Sequence, residues 1–451
     1  MNNGVWNNLP NELFIIGDIH GDFYALKQAL LKTSCVMFDE INKQNLIKTK
    51  GNEIHLLDGC DHYYVTNKKI SWNPNKINSF IVFVGDLIDR CRLVNNNNCY
   101  HAVNDENCDY KILRLLLDLD VEAQKYKSRV IIVLGNHEIM NLQENFKYVS
   151  IKGLADINRT QNIVNLLQQN IDKLYGIIRI QNYLICHGGI NPDFIEKNYY
   201  FFDKNKEFTE HYNIYIKKFL LTRENSNLIE NINGPLWDRT NGLDDKALSD
   251  IQCEKIFKFN LLNIDSNFLS NLKIIVAHCP QVYNISKYGI NLIQCGNFKN
   301  KIWRVDISMS RAFDNYITDI DSLNQLLDKL NMFITTNLNP PNILEFYKYR
   351  EKEYTCVQLL KISNNTKEEI IYGTTSLDFF YNDVFENKIY HKYLYLLQDM
   401  FTYYSNIIQS ISLEENNDYK LIIDKIIKIK TKFQTKIYGT NQILTYDIIY
   451  D

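Results

Sequence analysis

One junction, repeated along the chain, constrains the fold more than any other feature. An apolar run of strand length stops at a glycine and hands over to acidic, histidine or asparagine side chains. The plainest case is Ser79-Phe-Ile-Val-Phe-Val-Gly85-Asp86-Leu-Ile-Asp89-Arg90. Phe80 to Val84 reads as a strand buried on both faces, with its polar cargo just past the carboxyl end. Leu13 to Ile16 ends the same way, in Gly17-Asp18-Ile-His20-Gly21-Asp22, and Arg129 to Leu134 ends in Gly135-Asn136-His137-Glu138. Helical periodicity lies between them. Phe23, Leu26 and Leu30 follow Asp22, which is placed to cap them, and Tyr110 to Tyr126 is amphipathic. Strand, helix, strand, helix, strand predicts a parallel α/β sheet with right-handed crossovers. Loops at the carboxyl ends of such strands are where these sheets collect their ligands.

The pattern continues in weaker form. Residues 145–173 read as helical. Gly176–Ile180 and Tyr183–Cys186 flank Gln181-Asn182 as a hairpin, and the second strand ends in His187-Gly188-Gly189. Leu272–Ala277 ends in His278-Cys279-Pro280-Gln281, strands about 290–294 and 301–306 close at Asp306, and Tyr354–Ile362 reads as a last sheet strand. Two stretches, about 35–78 and 91–109, lose periodicity and read as loop insertions, the first with room for one hairpin. From about 366 onward the pattern turns to helices rich in Tyr, Ile, Lys and Asn. The division expected is a catalytic domain over 1–365 and a helical extension over 366–451.

Bulk properties exclude little but point one way. A chain of 451 residues with 45% hydrophobic and 23% charged residues is globular in composition, and a net charge of -3 offers no argument for nucleic acid or an anionic membrane. No apolar run approaches a membrane span, and the first residues lack the basic and apolar segments of a secretion signal. Ten scattered cysteines without a C-x-x-C pair read as reduced thiols, so a cytoplasmic setting is expected. Cys91, Cys99 and Cys108 are too widely spaced for a zinc knuckle.

The strand ends together offer Asp18, His20, Asp86, Asn136, His187 and His278. Oxygen and imidazole donors in this mixture suit zinc, iron or manganese. Six ligands are too many for one tetrahedral ion and fit two ions, with one aspartate bridging a gap of ~3.5–4 Å. His55, His62, His101, His211 and His391 stand alone and are not assigned to the site.

Gly-Asp18-x-His20-Gly, Gly-Asp86-x-x-Asp89-Arg90, Gly-Asn136-His137-Glu138, His187-Gly-Gly and the isolated His278 resemble the calcineurin-like metallophosphoesterase superfamily, in its phosphoprotein phosphatase branch. The resemblance covers roughly residues 13–362 and implies an α/β/β/α sandwich carrying two metal ions. By it, Asp18 and His20 hold the first metal, Asp86 bridges, and Asn136, His187 and His278 hold the second. It further implies direct attack by a metal-bridging hydroxide, with His137 as general acid oriented by Asp89, and with Arg90 and Arg239 on the phosphate. The substrate implied is a phosphorylated protein or small phosphoester.

Departures narrow the branch. Leu134 stands where Ser/Thr phosphatases have arginine, and Cys91 where the family usually has glycine. Trp237-x-Arg239, Ala277-His278-Cys-Pro-Gln281 and Arg304-Val-Asp306-Ile-Ser-Met-Ser310 are more similar to the Shewanella-like phosphatases. With one arginine fewer and a less polar rim at Leu134, phosphotyrosine is expected to be cleaved at least as well as phosphoserine. Dinucleoside polyphosphates, which carry more charge, are expected to be poor substrates. A nucleotide phosphohydrolase is the first alternative, and a phosphate-binding pseudoenzyme is the alternative of another class.

Overall fold

The structure is a computed structural model. It describes residues 3–38, 47–50, 53–56, 70–92, 107–201, 206–224, 226–242, 271–281, 289–294, 301–310, 320–336, 354–376, 416–438 and 443–444. To these it adds short pieces at 99, 105, 253, 255, 257, 263–264, 268, 312, 341, 393–394, 396–397, 400–401 and 404–405. Much of the two expected insertions, together with His62, His101 and His391, lies outside the described residues.

The repeated junction builds the first of two six-stranded sheets. Its order is Glu368–Ser376, Tyr354–Ser363, Glu12–Ile16, Ser79–Val84, Arg129–Val133 and Leu174–Tyr175. The last four strands are parallel, in the register Ile16↔Phe83, Phe83↔Ile132 and Val133↔Tyr175. Ser79–Val84 is buried along its whole length, as its unbroken apolar sequence requires in the middle of a covered sheet. The second sheet runs Val5–Trp6, Ile177–Ile180, Tyr183–Cys186, Lys273–Val276, Lys301–Arg304 and Asn291–Gln294. Both sheets contribute to one apolar core, to which the helices Phe23–Thr33, Asp109–Gln124 and Phe208–Thr222 add their buried faces.

Local chemistry explains the starts and anchors of these elements. Asp22 accepts from the Tyr24 and Ala25 N–H groups and so caps the first helix, as its position implied. Asp120 near the end of the Asp109–Gln124 helix takes Arg129 Nε at 2.8 Å and the Val130 N–H at 2.9 Å, fixing where the next strand begins.

Three expectations change. Glu368–Ser376 is a strand, antiparallel to Tyr354–Ser363 over its full length, where helices were expected from 366. The turn between them is Asn364-Asn365-Thr366, with Thr366 at φ +62°, a left-handed conformation that a β-branched residue rarely adopts. Helix Ile320–Thr336 packs with Asn416–Tyr438 and with Tyr393, Leu397 and Tyr404 in a second apolar cluster, so segments on both sides of the hairpin build it. The thiols are not all reduced. Cys91 is bonded to Cys99, and Cys108 and Cys253 are also in disulfides, while Cys35, Cys186 and Cys279 are free and buried. Proximity made by folding, rather than C-x-x-C spacing, joins them; the Cys91 and Cys99 Cα atoms lie 5.6 Å apart. Among the described residues no helix is long and apolar enough to cross a membrane.

Candidate active site

The strand ends of both sheets converge. Ile19 and His20 donate their backbone N–H groups to the Asp86 carbonyl at 3.0 and 2.9 Å, and His187 reaches the Val84 carbonyl with Nδ1 at 2.7 Å. The Ala277 N–H donates to the His187 carbonyl at 2.8 Å and brings His278 alongside. This closeness leaves no space for side chains at the glycines. A Cβ on Gly135 would lie 2.4 Å from the Asp86 nitrogen, and one on Gly85 would meet Gly135 Cα at 2.6 Å while Gly85 itself sits at φ +88°.

The six expected ligands share one buried cluster. His187 Nε2 lies 3.0 Å from Asn136 Oδ1, 3.1 Å from His278 Nδ1 and 3.2 Å from Asp86 Oδ2. His20 Nε2 lies 3.6 Å from Asp18 Oδ2 and 3.9 Å from Asp86 Oδ2. Among the described residues two groups have the geometry to hold an ion: His20, Asp86 and His137, and Asp86, His187 and His278. Asp86 belongs to both. His137 appears in the first group, where the resemblance placed Asp18.

Carbonyls set the histidine tautomers. His187 Nδ1–H donates to Val84 and His20 Nδ1–H to the Ile88 carbonyl at 3.3 Å, which leaves each Nε2 lone pair facing the cluster. Burial and the neighbouring His187 and Arg239 hold His278 well below the usual imidazole range, so it is neutral and able to ligate. Burial opposes ionisation of Asp86, yet the surrounding His137 and His187 keep it below the usual carboxylate range. Asp18 goes the other way, raised by burial and by the charges of Asp306 and Asp86. Asp18 Oδ1 and Asp306 Oδ2 are buried without a hydrogen-bond partner. Orphaned carboxylate oxygens beside the neutral imidazole of His278 are what a divalent cation satisfies, so the residues present fit metal ions.

Glu138 ties the loops together. Its carboxylate accepts from the N–H groups of Gly135 at 2.7 Å, Asp86 at 3.1 Å and Leu87 at 2.8 Å, and burial with the nearby Asp86 pushes it up to about 7. It therefore caps its helix and also fixes the backbone of the shared aspartate.

Asp89 and His137 form the expected pair, Nδ1 to Oδ2 at 2.8 Å, which turns His137 Nε2 toward Asp86 Oδ2 at 3.7 Å. Asn141 donates to both Asp89 oxygens at 2.9 Å, and Arg159 Nη2 reaches Asp89 Oδ1 at 3.0 Å and Asp109 Oδ2 at 2.5 Å. Sequence reading missed both residues. Asn141 carried a signal, since it lies four residues after His137 on the same helix face. Arg159 carried none, because nothing in its spacing links it to Asp89.

The two phosphate candidates differ. Arg90 is buried, with Nη1 3.4 Å from Asp22 Oδ2 and 3.5 Å from the His20 carbonyl. Arg239 is exposed at the rim, with Nη1 3.5 Å from the His278 carbonyl. Leu134 is 0% exposed and belongs to the apolar core, so it forms no part of a rim. The aromatic surface beside His137 is Tyr148, a loop residue that sequence reading did not single out.

Residues 13–238 match the calcineurin-like phosphoesterase family. The chain is 27% identical over 197 residues to Shewanella-like protein phosphatase 1 of Plasmodium berghei, covering 41% of this chain and 40% of that protein. It is 28% identical over 147 residues to Shewanella-like protein phosphatase 2 of Arabidopsis thaliana, covering 33% of this chain and 26% of that one. An uncharacterised protein of Acanthamoeba polyphaga mimivirus is 26% identical over 226 residues, 43% of this chain and 86% of its own length. The matches thus span less than half of either Shewanella-like phosphatase. Among solved structures, the cold-active protein-tyrosine phosphatase of a psychrophilic Shewanella species superposes with a TM-score of 0.42 at 17% identity, over 82% of each chain.

Proposed function

The chain belongs to the calcineurin-like phosphoesterase family, and on that premise we propose that it hydrolyses phosphate monoesters, those of phosphoproteins above all, at a centre of two cations. The observation that carries this reading is Asp86, the one carboxylate common to both metal-competent groups. Asp18, His20 and Asp86 would hold one ion, and Asp86, Asn136, His187 and His278 the other. When bound, two such ions supply a nucleophile from water near neutral pH and neutralise charge on the phosphate.

The chain's own residues do the rest. His137 gives its Nε2 proton to the departing oxygen, and Asp89 holds the opposite ring nitrogen so that the proton points the right way. Arg239 offers its guanidinium to phosphate oxygens from the rim, and the buried Arg90 adds positive charge beside His20. The similarity to two proteins named as phosphatases supports a protein substrate.

Elemental analysis of the full chain, paired with a substrate panel, tests this. Two ions per chain are expected, and Asp86→Asn should lose metal and turnover together. Two tightly held ions and near-normal turnover in Asp86→Asn would remove the shared-carboxylate reading. A clear kcat/KM advantage for dinucleoside polyphosphates over phosphopeptides would make the protein a nucleotide hydrolase instead.

A further inference from the structure

Leu134 was the sequence's reason to expect an apolar rim, and it is buried. A different residue supplies that surface. The Tyr148 ring centroid lies 4.8 Å from that of His137, with the planes tilted by 59°. Tyr148 is half-buried, and two cations flank its ring, Arg92 at 6.0 Å and Lys147 at 5.5 Å. Arg92 also acts electrostatically on Asp18 and Asp306, so its guanidinium lies within the field of the metal-competent cluster.

This wall is sewn in place by the residue that departs from the family pattern. The Cys91 N–H donates to the Tyr148 carbonyl at 3.0 Å, Cys91 is disulfide-bonded to Cys99, and the Cys99 sulfur lies 3.4 Å from the Lys147 carbonyl. The backbone at Tyr148 is thereby hydrogen-bonded to Cys91, and the disulfide sulfur of Cys99 abuts the Lys147 carbonyl. A ring on a backbone anchored so close to the expected proton donor is positioned for contact with whatever leaves.

We propose that Tyr148 forms the wall against which the leaving group packs, and that Arg92 and Lys147 beside it select a phosphotyrosine with acidic neighbours. This rests on the reading of His137 as proton donor in a phosphomonoesterase. The group that receives the His137 proton is the ester oxygen, so the next atoms of the leaving group lie next to Tyr148. An aryl ring gains an aromatic contact there, in offset or edge geometry, that a serine side chain is too short to make. Carboxylates on flanking residues then meet Arg92 and Lys147, which already stand over the ring.

The test measures kcat and KM of the full, metal-loaded chain on phosphotyrosine and phosphoserine peptides with acidic or basic flanks. Tyr148→Ala should lower kcat/KM for phosphotyrosine about five- to tenfold, mainly through KM, the size of one aromatic contact. Phosphoserine should change by less than about twofold on the same scale, and Tyr148→Phe should behave as the parent. Lys147→Glu should lower kcat/KM for acid-flanked peptides about two- to fivefold and raise it for basic ones, as for exposed ion pairs. Metal content and melting temperature should not move. Equal losses on both phosphoamino acids, or a phenylalanine variant as poor as alanine, overturn the proposal and leave the phosphatase reading standing. A metal-loaded parent that cleaves no phosphomonoester brings both down.

Discussion

Arg159→Met asks how far the orientation of His137 depends on a residue outside every motif. The substitution keeps most of the aliphatic stem and removes the charge that Asp89, Asp109 and Asn141 all use. Two buried carboxylates lose the guanidinium that contacts both, Arg159 Nη2 at 3.0 Å from Asp89 and 2.5 Å from Asp109. Breaking a buried pair by removing one partner costs about 3–5 kcal/mol, and protonation of Asp109, already pushed up to about 6 by burial, relieves part of it. The expected stability loss is therefore roughly 3 kcal/mol at neutral pH and smaller near pH 5. Asp89 keeps its bonds to His137 and Asn141 and holds the ring less firmly. Against a general-acid contribution of about 10²–10⁴, partial loss of orientation should slow an alkyl phosphate roughly 10- to 100-fold and p-nitrophenyl phosphate by less than about fivefold, because nitrophenoxide needs little protonation. The assay is kcat on both substrates in the parent and in a His137→Asn background, with urea unfolding alongside. In that background Arg159→Met should add less than about twofold. Full, additive loss there, or equal loss on both substrates, would refute the claim that Arg159 acts through Asp89 and His137.

His137→Asn alone should slow an alkyl phosphate about 10²-fold or more while leaving metal stoichiometry intact and p-nitrophenyl phosphate much less affected; loss of a metal ion would make His137 a ligand, as the grouping with His20 and Asp86 allows. Asp109 holds its proton more tightly folded than unfolded, so its part of the stability should fall as pH rises from about 4 to 6 and stay constant above, on the order of 2–3 kcal/mol in all. Asp109→Asn should flatten the unfolding free energy in that window, and an unchanged slope would place the titration elsewhere. Cutting the chain after residue 366 should give an aggregating product rather than an active core, since it strips a nine-residue strand from the edge of the first sheet and uncovers the buried face of Ile320–Thr336. A monomeric, active product by light scattering and turnover would show both elements to be dispensable.

What the sequence made legible was local. A run such as Phe80–Val84 ending at Gly85 can only be a covered strand with a tight exit, and the strands at 12–16, 79–84, 129–133, 183–186 and 273–276 lie where such runs predicted them. Parallel topology puts the carboxyl ends of neighbouring strands on one side within each sheet, and the meeting of the two sheets brings both sets of ends together. What was missed depends on contacts between distant segments. Arg159 finds Asp89 across 70 residues, Cys91 meets Cys99 through a loop whose path no spacing reveals, and Leu134, one residue past the strand Arg129–Val133, packs into the apolar core. Glu368–Ser376 was hidden for another reason: Ile370 and Ile371 are adjacent rather than alternating, so the segment lacks the period of two that marks a half-buried strand.

The backbone at the site carries a cost that the motifs themselves do not announce. His20, Asp86, Asp89 and His278 sit at φ +45°, +47°, +72° and +64°, in the left-handed region that glycine occupies freely and other residues avoid. At about 1–2 kcal/mol each, the strain persists only where surrounding bonds overdetermine it. Those bonds are visible: Glu138 grips the backbone on either side of the Asp86 carbonyl, which itself takes the Ile19 and His20 N–H groups. Glycine at any of the four positions would relieve the strain and delete a side chain to which the proposed chemistry gives a role. Glycine is instead present at 21 and 85, also at positive φ, next to those residues and bearing no donor atom of its own. The same loops thus separate two demands, with glycine where only the turn matters and strained Asp or His where the proposed ligands and the carboxylate that orients His137 stand.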